Sequence, residues 1–347
     1  MKVGIWSFYS DLFSNDKIFE IESSGLGDDD LYGLNQLFYH CQKNQVKLIT
    51  LDKVENFNEL KKILVFDFPL PNKNTKYIEI YNKIRQFNKD KILILHECEV
   101  IKPNNWNLKN HKEWDIILTW NDEFVDNVKY FKLNMPPRNL KIDFTRVSFS
   151  SKKFATMIAS NKKIIHRKEL YSERLRCINF FKKNHFKDFD LYGYGWDKYV
   201  FPSNIYILGK LNKFNNLTKI FNLKNSTWKG EISSKKEVLP YYKFNFAYEN
   251  ASNISGYILE KIFDSFIYEC VPIYLGANNI DFHIPKNTFI DKRKFDSYES
   301  LYNYLKNISE EEYGDYIKNI KKFIKSNEFY PFSVKNYVET IYRFISN

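Results

Sequence analysis

Short apolar runs and amphipathic stretches alternate along the 347 residues of this chain. In the first half the runs are VGIWSF (3–8), VKLIT (46–50), ILVFDF (63–68), KILILHE (91–97) and DIILTW (115–120). Each has the length and β-branched content of a buried strand. Between them, 31–44 and 75–87 predict helices, and 55–61 predicts a turn. In the second helix Tyr77, Ile80, Tyr81, Ile84 and Phe87 fall on one apolar stripe. The second half repeats the scheme, with strands at 154–160, 190–195, 243–249 and 271–276. Helices are expected at 167–183, 257–269, 297–307, 310–325 and 333–345. Strands alternating with helices predict parallel sheets, hence an α/β chain with two Rossmann-like halves. The proline-bearing stretch 133–150 is the expected linker between a first domain at 1–148 and a second at 149–330. A C-terminal helix follows at 331–347.

Composition removes several other classes. Aromatics make up 18% of the chain and hydrophobic residues 44%, too many for a disordered polypeptide. With only 11 Gly and 10 Pro, collagen-like and linker-like chains are excluded. No apolar run approaches the ~18 residues of a membrane span. The opening MKVGIWSFYSDLF reads as a first strand rather than a leader, so a cytoplasmic location is expected, with the inner face of the membrane as an extension. Cys41, Cys98, Cys177 and Cys270 lie far apart with no C-x-x-C, so buried free thiols are expected. The net charge of +11 suits an anionic partner such as a phosphorylated small molecule or an anionic membrane. Nucleic acid is not expected, because no basic-aromatic RNA-binding pattern accompanies the charge. The pairs Lys152-Lys153, Lys162-Lys163 and Lys321-Lys322 read as solvated faces.

The stretch 243–276 carries the densest chemistry. It reads as strand, polar loop, helix and strand, with Ile258, Leu259, Ile262, Phe263, Phe266 and Ile267 facing the sheet. Glu260, Lys261, Asp264 and Tyr268 fall on the opposite side. Glu260 and Lys261 then occupy the first helical turn, where free N–H groups and the dipole attract phosphate. Glu249 and Asn250 follow the strand's C-terminal edge, the ligand-binding edge of open α/β sheets. Elsewhere, Asp28-Asp29-Asp30 invites a metal-bound nucleotide but is explained by capping of the next helix. The histidines show no ligand spacing, and no metal is expected. His166 lies beside Arg167, and Gly193-Tyr194-Gly195 reads as a plain turn.

These residues resemble glycosyltransferase family 10, the α-1,3/1,4-fucosyltransferases, and in particular a bacterial member. The family signature runs roughly F-x-F-E-N-S, Y-V-T-E-K and P-[IV]-x-x-G. Here it stands as Phe246-Ala247-Tyr248-Glu249-Asn250, Gly256-Tyr257-Ile258-Leu259-Glu260-Lys261 and Val271-Pro272-Ile273-Tyr274-Leu275-Gly276. Ala159-Ser160-Asn161 with His166-Arg167, Trp228-Lys229-Gly230, and Lys235 or Lys236 with Tyr242-Lys243-Phe244 extend the resemblance over about 150–290.

It implies a GT-B fold, two facing Rossmann-like domains with an interdomain cleft. It also implies inverting, metal-independent transfer of fucose from GDP-fucose to a glycan hydroxyl, as in the synthesis of surface polysaccharide or lipopolysaccharide. The expected partners are a nucleotide-sugar donor and a glycan acceptor, with a lipid-linked acceptor at a peripheral membrane contact as an extension. No cofactor is implied. By position, Arg167 and Lys261 would hold the diphosphate. Asn250, Tyr257 and Glu260 would contact the ribose and donor sugar, with Glu249 in support. The general base would be Glu97, which follows the apolar strand 91–97, with Glu99 as the alternative. Leu259 stands where the family has Thr, the loop from Asn250 to Tyr257 is one residue longer, and the G-E-N tripeptide is absent. These departures leave open whether the donor sugar is fucose or another nucleotide-activated sugar. A catalytically dead sugar-binding module and a basic nucleic-acid-binding protein are the other classes weighed.

Overall fold

The computed structural model describes residues 1–7, 9–21, 30–70, 75–135, 147–214 and 226–347. The chain divides into two compact units. One comprises Met1–Asn139, Ser255–Tyr257 and Tyr330–Asn347, and the other Leu140–Ile254 and Ile258–Phe329. Most of the linker stretch 133–150 lies outside the described residues.

The first unit is built on strands β1 (Lys2–Ser7), β2 (Lys47–Thr50), β3 (Lys62–Phe66), β4 (Lys91–Leu95), β5 (Ile116–Thr119) and β6 (Tyr130–Lys132). They form one parallel sheet in the order β2-β1-β3-β4-β5-β6. All five side chains of β4 are buried, as a sheet covered on both faces requires. Helices α1 (Tyr32–Lys43) and α2 (Thr75–Gln86) supply Leu37, Cys41, Ile80 and Ile84 to its core. From β1 the winding goes first to β2 on one side, then to β3 on the other. The switch point therefore falls between β1 and β3, and β4 is the next strand along.

The second unit contains β7 (Lys153–Ile158), α3 (Tyr171–Asn184), β8 (Phe189–Tyr192), β9 (Tyr242–Tyr248), α4 (Glu260–Ile267), β10 (Val271–Leu275) and β11 (Ile290–Asp291). Its sheet is also parallel, in the order β11-β10-β9-β7-β8, so its switch point lies between β7 and β9. Phe181 of α3 stacks on Phe189 at 4.7 Å and meets Phe246 edge-on at 5.5 Å, closing the core over β8 and β9. Helices α5 (Tyr298–Asn307) and α6 (Glu310–Ile324) each begin with a capping box, from Ser297 and Ser309. The last helix, α7 (Val334–Ser346), is capped by Ser333 and returns to the first unit, where Ile341 and Ile345 are fully buried.

The strands expected from the sequence are present within one to three residues, the largest difference being β8, which ends at Tyr192. β6 and β11 were not anticipated; three and two residues are too few to show a period. Four details depart from expectation. Helix α4 spans Glu260–Ile267 rather than 257–269, so Ile258 and Leu259 precede it. Helix α3 starts at Tyr171, because 167–170 is drawn aside into a bridge between Glu169 and Ala251. Lys152 is not solvated: it is buried, and its ammonium donates to the carbonyls of Pro240 (2.6 Å) and Glu269 (3.2 Å). Asp264 is buried rather than open to water, because Lys235 reaches over α4 to pair with it. The four cysteines are buried and free.

Candidate active site

In the second unit the ends of β7 and β9 are sewn together. The chain after β7 returns alongside the loop after β9: the Leu170 N–H donates to the Asn250 carbonyl (3.1 Å) and the Ser252 N–H to the Lys168 carbonyl (2.8 Å). This brings the segment carrying Arg167 beside the segment carrying Glu249 and Asn250, at the switch point. Arg167 is exposed, and His166 accepts the Lys168 N–H at 3.2 Å.

Glu249 is the first residue past β9 and its side chain is completely inaccessible. Its Oε1 accepts the backbone N–H of Leu259 at 2.8 Å. Leu259 is the N-cap residue of α4 and has no side chain able to cap, so Glu249 takes that role from a distance. Its Oε2 lies 3.3 Å from the Lys261 ammonium, and Glu260 Oε1 lies 3.1 Å from the same group. Lys261, with 19% of its side chain accessible, is thus gripped by two carboxylates in the first turn of α4. Burial alone would push its ammonium down. The charges of Glu260 and Glu249 outweigh that, and the net direction is upward, keeping the lysine cationic. Burial raises the Glu249 carboxyl, while Lys261 and the Leu259 N–H pull it back.

Gly276, after β10, makes room for this arrangement. A Cβ there would lie 2.6 Å from Glu249 Cγ and 2.4 Å from Tyr274 Oη. The final glycine of the P-[IV]-x-x-G element therefore has a steric reason.

Sequence reasoning missed Arg174. It is 5% exposed, and its Nη2 donates to the carbonyls of Tyr248 (2.8 Å) and Glu249 (2.7 Å) and to Asn250 Oδ1 (3.0 Å). A signal existed: Arg174 occupies the slot after Tyr171 and before Cys177, Ile178 and Phe181 in an otherwise buried stripe of α3. A crevice between the ends of β7 and β9 is lined by Arg174, Lys235, Asn245, Tyr248, Lys261 and Asp264.

The first unit carries the other candidates. Glu97 follows β4 and is half-buried; the hydroxyl of Tyr9 donates to its Oε1 at 2.8 Å. Its carbonyl accepts from Asn105 Nδ2 (3.1 Å) and Trp106 Nε1 (3.0 Å). The position is set by Asp67 just after β3, at φ 59°, whose Oδ1 accepts the N–H groups of His96 (2.8 Å) and Glu97 (3.0 Å). Glu99 lies two residues further on, also half-buried. Behind them Lys102 is 3% exposed. Burial lowers its ammonium pKa to about 7, although Asp67 and Glu97 act in the opposite sense.

Tyr257 is grouped with this unit, fully buried, its ring 4.7 Å from Trp120. Within the second unit the structure brings together Glu249, Asn250, Glu260 and Lys261, with the Arg167 segment alongside. Among the described residues no group of three or more His, Cys, Asp or Glu is arranged to hold a metal. Of Asp28-Asp29-Asp30 only Asp30 is described. No described helix is long and apolar enough to cross a membrane.

Two parallel-sheet units, each with charged residues at its switch point, define an α/β protein of the GT-B type. Solved structures agree on the fold. An α1,3-fucosyltransferase with GDP-fucose matches all of this chain and 90% of its own length, at 15% identity and a TM-score of 0.56. Anabaena HepE in complex with UDP and glucose matches at 9% identity and 0.53, over all of this chain and 99% of its own. Residues 204–335 match the model for the C-terminal domain of glycosyltransferase family 10 (fucosyltransferase). The chain is 35% identical over 80 residues to an α-(1,4)-fucosyltransferase of Arabidopsis thaliana, covering 22% of this chain and 20% of that protein. It is 31% identical over 75 residues to the α-(1,3)-fucosyltransferase FucT of Helicobacter pylori, covering 22% and 16%. The matched region thus spans about a fifth of the length of these curated relatives.

Proposed function

We propose that this chain is an inverting glycosyltransferase that moves fucose, or a closely related sugar, from a GDP-activated donor to a hydroxyl of a glycan acceptor. What carries the reading is Lys261: a lysine held cationic by Glu249 and Glu260, in the first turn of a helix, at the carboxyl edge of a parallel sheet. Such a site suits a diphosphate leaving group. In this reading Lys261 and Arg167 bind the diphosphate, and Asn250 and Glu260 meet the ribose and donor sugar. Glu249 fixes Lys261. Tyr257, whose ring packs on Trp120, joins Asn250 and Glu260 in meeting the ribose and donor sugar.

The chemistry balances without a metal. Glu97 takes the proton of the acceptor hydroxyl, and that oxygen bonds to the anomeric carbon from the face opposite the nucleotide. The bond to the β-phosphate oxygen breaks, and its electron pair leaves with GDP. Lys261, Arg167 and the α4 N-terminus stabilise the charge growing on that phosphate, the kind of preorganised contact worth ~3 kcal/mol each. Glu99 is the alternative base. The charge of +11 also suits an anionic surface bearing a lipid-linked acceptor at the cytoplasmic face of a membrane, as in lipopolysaccharide synthesis. Leu259, in the family's Thr position, favours a second version in which another GDP-sugar is the donor.

A thermal-shift screen of GDP, UDP, ADP and their sugar conjugates tests both versions. GDP-fucose should give the largest upward shift. A larger shift with GDP-mannose selects the second version, and preference for a UDP-sugar overturns the proposal.

A further inference from the structure

Arg174 is a buried cation that the reaction outlined above does not use. Its Nη2 holds three acceptors at once: the carbonyls of Tyr248 and Glu249 and the side-chain carbonyl of Asn250. Two consecutive carbonyls mark the point where the chain turns out of β9. The third acceptor belongs to a side chain assigned to the donor. A guanidinium has donors only, so the oxygen of the Asn250 amide must face it. The amide's NH₂ is thereby turned away from Arg174, as a hydrogen-bond donor. The guanidinium itself is braced from below, its Cζ 5.1 Å from the centroid of the Tyr171 ring. The charge also reaches Lys261, where it opposes protonation while Glu260 and Glu249 favour it.

We infer that Arg174 is the positioning residue of the donor site. It clamps the exit of β9 and fixes the Asn250 amide so that its NH₂ group is offered to an oxygen of the nucleotide sugar. This inference rests on the donor-site reading above and adds to it a hydrogen-bond polarity: position 250 recognises an acceptor atom on the ligand. Lysine could supply the charge at 174, but not the planar guanidinium that packs on the Tyr171 ring and holds its nitrogen at these acceptors.

The test is a double-mutant cycle with GDP as the probe, on the full chain, measured by calorimetry. Arg174→Met and Asn250→Ala should each weaken GDP binding, by about tenfold. The double variant should be no weaker than the worse single one, because each breaks the same contact. Arg174→Lys should not restore affinity. Independent losses that multiply in the double variant, or full rescue by lysine, would overturn the inference.

Hydrogen–deuterium exchange without ligand supplies a second arm. Arg174→Met should speed exchange in the peptide covering 248–252 while leaving the β1–β4 sheet unchanged. If the wild-type chain binds no GDP, the donor reading fails. The clamp is then judged on exchange alone, and unchanged exchange at 248–252 refutes it.

Discussion

Two carboxylates follow strands of the two units, Glu97 two residues beyond the end of β4 and Glu249 directly after β9, and their surroundings differ. Glu249 is sealed from water and engaged on both oxygens, by a backbone N–H and an ammonium. Glu97 is half-buried, and the contact on its Oε1 is a tyrosine hydroxyl. A sealed carboxylate with fixed partners holds a neighbour in place and a neighbour's charge steady. A carboxylate that is only half-buried can gain and lose a proton during turnover. In the proposed reaction the first role falls to Glu249 and the second to Glu97, a contrast that experiment can break.

The largest effect should come from Glu97→Gln. It should lower kcat by about a thousandfold while GDP affinity stays unchanged, as expected for loss of a general base. Glu99→Gln should cost only a few-fold, and the reverse ranking would move the base to Glu99. Lys261→Ala should reduce kcat/KM by roughly a hundredfold or more and weaken GDP binding with it.

Glu249→Gln should act through stability as well as activity. The amide can still accept the Leu259 N–H but leaves Lys261 with one carboxylate. A loss of about 2–4 kcal/mol in chemical denaturation is expected, since one partner of a buried pair is removed. No change in the midpoint would mean that the pair is not formed.

The smallest effect belongs to Lys102 and depends on pH. The folded protein holds its ammonium near pKa 7, against about 10.5 for an ordinary lysine. Between those values the unfolded chain binds the extra proton, so this group makes stability rise with pH through that window. Below about pH 7 both states are charged and the folded state bears the full cost. Lys102→Met should therefore raise the melting temperature by several degrees at pH 6. The gain should shrink towards pH 10. An equal gain at both pH values would show that the group titrates normally.

Much of this was legible from the chain. Buried runs such as KILIL and VPIYL announced their strands, and the polar loop before Glu260-Lys261 announced a helix start. What stayed hidden were matters of long-range partnership. Lys152 looks like any surface lysine until Pro240 and Glu269, far along the chain, turn their carbonyls towards it. Asp264 falls on the polar side of α4 by period, but period cannot reveal that Lys235 covers it. Tyr257 packs its ring on Trp120, a contact that no local pattern reveals. Arg174 could have been flagged as a cation in an apolar stripe, though not matched to its three acceptors.

Gly276 carries a consequence for anyone wishing to improve this protein. Replacing glycine by alanine is a common route to a hardier variant, because it restricts the denatured chain. At this position the added methyl would press against the stem of Glu249. A mutant library sorted for heat resistance and one sorted for sugar transfer should thus both discard it, which makes residue 276 a useful internal control for the quality of either screen.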